Sequence, residues 1–162
     1  MRKIIIIGRP GAGKSYLSEK LSIKLNIPVI HLDNIWWNND KTHITREEFD
    51  SKLHEILCRD EWIIDGDYSR TYEVRFNACD TIIFLNYPLE LCLESAKGRI
   101  GTQRSDLPWV EDKFDPEFEK WIKDWSQNKI PIIQELIGKY DSIKEIHIFK
   151  SREETEKWFQ SL

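Results

Sequence analysis

Between the apolar run Lys3-Ile4-Ile5-Ile6-Ile7 and a segment where Leu17, Leu21 and Leu25 recur every four residues lies Gly8-Arg9-Pro10-Gly11-Ala12-Gly13-Lys14-Ser15. The β-branched run reads as a buried parallel strand, and the leucine spacing as one face of a helix. A strand that passes through a glycine-rich turn straight into a helix commits the chain to parallel α/β architecture. The octet fits G-x-x-x-x-G-K-[ST], whose glycines let the backbone wrap a polyphosphate while N–H groups and a helix N-terminus face the anion. The expected ATP-binding residues are therefore Gly8, Arg9, Pro10, Gly11, Ala12, Gly13, Lys14, Ser15 and Tyr16. Lys14 reaches the β- and γ-phosphates and acts catalytically, and the Ser15 hydroxyl suits Mg²⁺. The Arg9 side chain is expected to point outward.

Further strand candidates are Pro28–Leu32, Trp62–Ile64 running into Asp65-Gly66, Thr81–Leu85 and Glu145–Phe149. They alternate with helical patterns, so one domain over residues 1–162 is expected, a three-layer α/β fold with a parallel sheet covered on both faces. Thr45 with Glu48 forms a capping box ahead of Phe49, Leu53, Ile56 and Leu57. Leu89, Cys92, Leu93, Ala96 and Ile100 make another stripe, and Asp115-Pro116 starts a helix whose inner face carries Trp121 and Trp125. Pro131 should split that helix into two segments. Ser151 with Glu154 starts the last helix. An acceptor-binding segment is expected at about 34–60, and the polar stretch at about 99–115 reads as a lid.

Net charge is −4 with a pI near 5.6, which argues against a dedicated nucleic-acid binder. Cys58, Cys79 and Cys92 form no C-x-x-C pair, so reduced thiols and a cytoplasmic setting are expected. No apolar run approaches a membrane span, and with an N-terminus opening on a core strand no signal peptide is expected. Asn128-Lys129-Ile130-Pro131 lacks the aspartate of a guanine clamp. No glutamate follows Asp65 to activate water, so transfer to an acceptor is expected in place of hydrolysis.

Ligands of open parallel sheets bind beyond the carboxyl ends of the strands, which places Asp33 and Asp65 in front of the loop. Asp65 is a candidate for the Mg²⁺ shell, through water, and Asp33 for orienting or deprotonating the acceptor. Otherwise each acid caps the turn that follows it. Arg99 and Arg104 are candidate clamps on the transferring phosphoryl group, while Arg75 and, more weakly, Arg70 are candidate phosphate contacts. His31 reads as a packing residue, and His43, His54 and His147 lack metal spacing. Trp36 or Trp37 offers an aromatic wall for the acceptor.

Gly8–Ser15, Val29-Ile30-His31-Leu32-Asp33 with Trp36-Trp37, and Trp62-Ile63-Ile64-Asp65-Gly66-Asp67-Tyr68-Ser69 together resemble the DNA topology modulation proteins, small relatives of adenylate kinase. The likeness continues through Arg75 and Ala78–Leu85 to the tryptophan-bearing helix after residue 115. It implies strand order 2-3-1-4-5 and a mobile lid. Asp65-Gly66 is similar to the Asp-Gly of adenylate kinases, near Mg²⁺ and the acceptor, and Lys97-Gly98-Arg99 to the Gly-Arg that opens their lid. The Phe-Pro-Arg that grips AMP there is Asp67-Tyr68-Ser69 here. The expectation is an ATP- and Mg²⁺-dependent phosphotransferase that uses Lys14, Asp33, Arg99 and Arg104. Its acceptor, a nucleotide or another small molecule, would be bound by Asp33, Trp36, Asp65, Gly66 and Arg75. The alternative is a regulatory ATP-binding protein with little kinase activity.

Overall fold

A computed structural model describes all 162 residues. Strands β1 (Lys3–Gly8), β2 (Val29–His31), β3 (Trp62–Asp65), β4 (Thr81–Leu85) and β5 (Glu145–Phe149) form one parallel sheet ordered β2-β3-β1-β4-β5. Helices α1 (Lys14–Leu25), α2 (Leu32–Trp36), α3 (Arg46–Leu57), α4 (Tyr72–Ala78), α5 (Leu89–Gly98), α6 (Pro116–Tyr140) and α7 (Arg152–Ser161) surround it. The order and the two covered faces are those expected.

Side chains alternate across a strand, so the isoleucines of β1 divide between two cores. Ile5 and Ile7 pack with Phe49, Leu53, Phe76, Trp125 and Leu136 from α3, α4 and α6. Ile4 and Ile6 pack with Leu17, Leu21, Cys92 and Phe159 from α1, α5 and α7. All four isoleucines are fully buried, and each contributes roughly 1.5–3 kcal/mol. The register sets Ile6 beside Asp65 on one flank and Gly8 beside Leu85 on the other, so the loop after β1 leaves at the level of the β3 carboxylate.

Two local expectations are corrected. The second strand ends at His31, and Leu32–Trp36 turns into a short helix, so Asp33 lies in a helical first turn and not at a strand terminus. Pro131 sits inside an unbroken α6. Its ring is exposed, while Ile122, Trp125, Ile133 and Leu136 on either side are buried, and this packing outweighs the one backbone bond a proline removes. On the same helix Trp121 is 38% exposed, although it was expected in the core. The capping box at Thr45 and Glu48 and the Asp115 cap before Pro116 form as read.

Candidate active site

The loop from β1 to α1 is built on glycine geometry. Gly11 has φ 86°, and a Cβ there would stand 2.0 Å from the Cys92 carbonyl oxygen, so no other residue fits. Gly8, Arg9 and Ala12 form the buried side of the loop, while Pro10, Gly11, Gly13, Lys14, Ser15 and Tyr16 line a cleft of about 960 Å³. The Lys14 ammonium folds back over the loop and donates to the carbonyls of Gly8 at 2.9 Å and Arg9 at 3.2 Å. Burial lowers its pKa, against the pull of Asp67 and Asp65. Arg9 does not point outward. Only 7% exposed, it donates to the Ser126 hydroxyl and stands over the Trp125 ring, which ties the loop to α6.

Asp65, at the end of β3, is 3% exposed. Its Oδ2 accepts from Ser18 Oγ at 2.5 Å and lies 2.9 Å from His31 Nδ1. Burial would lower the pKa of His31, but Asp65, with Asp106 and Glu19, outweighs it and leaves the imidazole raised. Gly66 follows with φ 128°, and a Cβ there would press on the Leu32 side chain at 2.9 Å. The Tyr68 hydroxyl donates to Asp33 at 2.7 Å. Burial raises the Asp33 carboxyl despite that bond and the nearby Lys14. Asp67 accepts from the Trp125 indole at 3.1 Å and from the Tyr72 hydroxyl.

The segment between α5 and α6 folds over the loop. Ser15 Oγ donates to Asp106 Oδ2 at 2.7 Å. Arg104 grips both oxygens of Asp106, at 2.9 and 2.8 Å, and reaches Glu111 at 2.9 Å. Asn34 Nδ2 donates to the Ser105 carbonyl at 2.6 Å, which joins this lid to α2. Arg99 also lines the cleft, yet it forms no ion pair and its buried Nε has no partner. Burial, reinforced by Arg104, lowers its pKa.

Burial alone would raise the Asp106 carboxyl, but Arg104 and Ser15 outweigh it and hold the pKa down to about 2, against an ordinary 3.8. A carboxyl depressed in the folded chain stabilises it above the unfolded pKa, and the contribution is lost as pH falls through the folded one. Asp106 is 6% exposed, and a shift of this size is worth about 2 kcal/mol. Chemical denaturation between pH 6 and 2 should therefore show Asp106→Asn losing less stability on acidification than the parent. Parallel profiles would contradict the ion pair.

Trp36, Asp33, Asp65, Gly66, Arg99 and Arg104 all line the cleft, as does Arg70, which is held in a two-point pair with Asp50. Arg75 does not. It is fully buried and donates to Thr71 Oγ1 at 3.0 Å and to the carbonyls of Gly66 at 3.1 Å, Asp67 at 2.6 Å and Tyr68 at 3.3 Å. Its expected contact with substrate is replaced by a brace beneath the Asp65-Gly66 turn. Sequence reading passed over Asp106, Glu111, Tyr68 and Asp67. The alternation of charge through Arg104, Asp106 and Glu111 was the one visible signal of the lid pairings.

The glycine loop, the β2-β3-β1-β4-β5 sheet and the lid define a three-layer phosphate-loop kinase fold. A shikimate kinase from Bacteroides thetaiotaomicron matches this chain with TM-score 0.63 and 21% identity, over 98% of this chain and 94% of its own. A shikimate kinase from Acinetobacter baumannii, in complex with shikimate, matches with TM-score 0.64 and 15% identity, over 99% and 90%. No family model and no curated protein matches the sequence. At these identities the likeness is one of fold. No helix is long and apolar enough to cross a membrane.

Proposed function

We propose that this protein transfers the γ-phosphoryl group of ATP to a small-molecule acceptor. The observation that carries the reading is a pair of cations, Lys14 and Arg99, facing one cleft without carboxylate partners, with Asp33 in the same cleft. Such cations suit a polyphosphate, whose charge they would offset. The cleft is large enough for a donor and an acceptor side by side.

Lys14 and the loop amides hold the donor's β- and γ-phosphates. Asp33, its carboxyl raised by burial, accepts the proton of the attacking hydroxyl as the oxygen–phosphorus bond forms and ADP leaves. Arg99 faces the equatorial oxygens. Arg104, committed to Asp106 and Glu111, orders the lid and leaves Arg99 as the free clamp. Ser15 and Asp65 fit Mg²⁺, which would neutralise phosphate charge. Ser15 offers a hydroxyl, and Asp65, bonded to Ser18 and His31, suits an outer position through water.

The test is transfer from Mg²⁺-ATP to a panel of nucleosides, nucleoside monophosphates, shikimate and other hydroxylated metabolites. A product that depends on one acceptor supports the reading. ATP binding without transfer to any acceptor sinks it, and favours the regulatory role that the resemblance to DNA topology modulation proteins suggests. That role predicts DNA binding which weakens steeply with salt.

A further inference from the structure

Two aromatic groups line the cleft beyond the loop. Trp36, Trp37, Trp109 and Tyr68 form a connected set, and Phe118 stacks on Trp121 along α6. Trp36 is held on one face by His43, stacked at 4.4 Å and 9°, and on its edges by Phe49 at 5.7 Å and Tyr68 at 6.2 Å. A ring docking on such a wall meets side chains that are already ordered, which lowers the entropy cost of binding.

Lys129 lines the same cleft and donates to Ser69 Oγ at 2.6 Å, with no acid paired to it. Ser69 directly follows Tyr68, whose hydroxyl is bonded to Asp33. Asp33, Tyr68, Ser69 and Lys129 all line the cleft, linked through the Tyr68–Asp33 and Lys129–Ser69 hydrogen bonds, and supply a group suited to a hydroxyl, an aromatic ring and an ammonium without an acid partner.

We propose that the acceptor is a planar ring carrying an anionic substituent, carboxylate or phosphate, and that Lys129 is the residue that selects for the anion. This rests on the kinase reading above, which places the acceptor beside Asp33. A neutral ring would leave the ammonium with only a hydroxyl partner. A flexible anion would gain nothing from the aromatic wall.

Tryptophan fluorescence titrations, with and without Mg²⁺ and a non-hydrolysable ATP analogue, test the proposal with four probes. AMP and 4-hydroxybenzoate each join a planar ring to an anionic group, adenosine has the planar ring without the anion, and gluconate has the anion without a planar ring; the first two are the planar anions of the test. The planar anions should bind more tightly than the other two. Lys129→Met should weaken them about 10-fold or more and leave adenosine and the ATP analogue unchanged, and Lys129→Arg should restore them. A preference for AMP identifies a phosphate ligand, and one for 4-hydroxybenzoate a carboxylate; either supports the proposal. It is overturned if adenosine or gluconate binds as well as the planar anions, if Lys129→Met has no effect on them, or if none of the four binds. Failure of the ATP analogue to bind, or of phosphoryl transfer, sinks the kinase reading separately, because the Lys129→Met and Lys129→Arg comparison with the analogue filling the loop judges the acceptor end of the cleft.

Discussion

Replacing Lys14 with alanine is expected to lower phosphoryl transfer about 10³-fold or more while the chain stays folded. The two halves of this expectation have different physical origins. The ammonium is the loop's own cation, directed at the Gly8 and Arg9 carbonyls around which the glycine turn is wrapped. Charge that develops on the transferring group has no substitute for it at that position. For folding the balance runs the other way. Burial lowers the pKa of Lys14, so the charged form is less stable in the fold than in the unfolded chain. That cost applies below the folded pKa and disappears above the unfolded one. Removing the group gives up two hydrogen bonds but also relieves the burial of a charge, for a net change of about 1 kcal/mol or less. Transfer assays on the acceptor found in the panel, paired with thermal melting at one pH, read both quantities. Near-parental transfer in a folded Lys14→Ala chain would refute the mechanism.

The legible parts of the molecule were those in which local pattern and tertiary demand agree. The isoleucines of β1, the glycine loop and the leucine repeat of α1 are contiguous in sequence, and each carries one local signal: an unbroken apolar run, a fixed motif and a four-residue spacing. Asp65 was readable because a strand ended on it. Asp33 misled by one element, since a five-residue helix leaves too few positions to show a period. The continuity of α6 was hidden because a proline is a local signal, whereas the packing of Trp125 and Leu136 that overrides it depends on the sheet beneath. Long-range pairings were out of reach for the same reason. Ser15 meets Asp106 across 91 residues, and Arg9 meets Ser126 across 117. A charged residue inside a phosphate loop gives no sign that it will turn inward to brace a distant helix.

Arg75 shows the same limit with a larger consequence, and Arg75→Met is expected to cost about 3 kcal/mol of stability. The carbonyl oxygens of Gly66 and Asp67 lose their donor, while that of Tyr68 keeps its bonds from Thr71 N–H and Oγ1. A buried acceptor left unpaired costs roughly 1–3 kcal/mol. Burial lowers the pKa of the guanidinium, so removing it recovers part of that cost and keeps the net below the sum. For a chain of this size about 3 kcal/mol corresponds to a fall in melting temperature of roughly 6–12 °C. Arg75→Lys should rescue little, because an ammonium lacks the planar fork that reaches three carbonyls and Thr71 at once. Activity should fall as well, through kcat. The braced turn carries Tyr68, which holds Asp33, and Asp67, which holds Trp125. An arginine that gripped substrate would behave differently, since its loss would raise KM and leave the melting temperature unmoved. Melting curves and steady-state kinetics on the two variants separate these roles. An unshifted melting temperature with a raised KM would return Arg75 to the substrate side of the turn, against the four bonds that now hold it beneath.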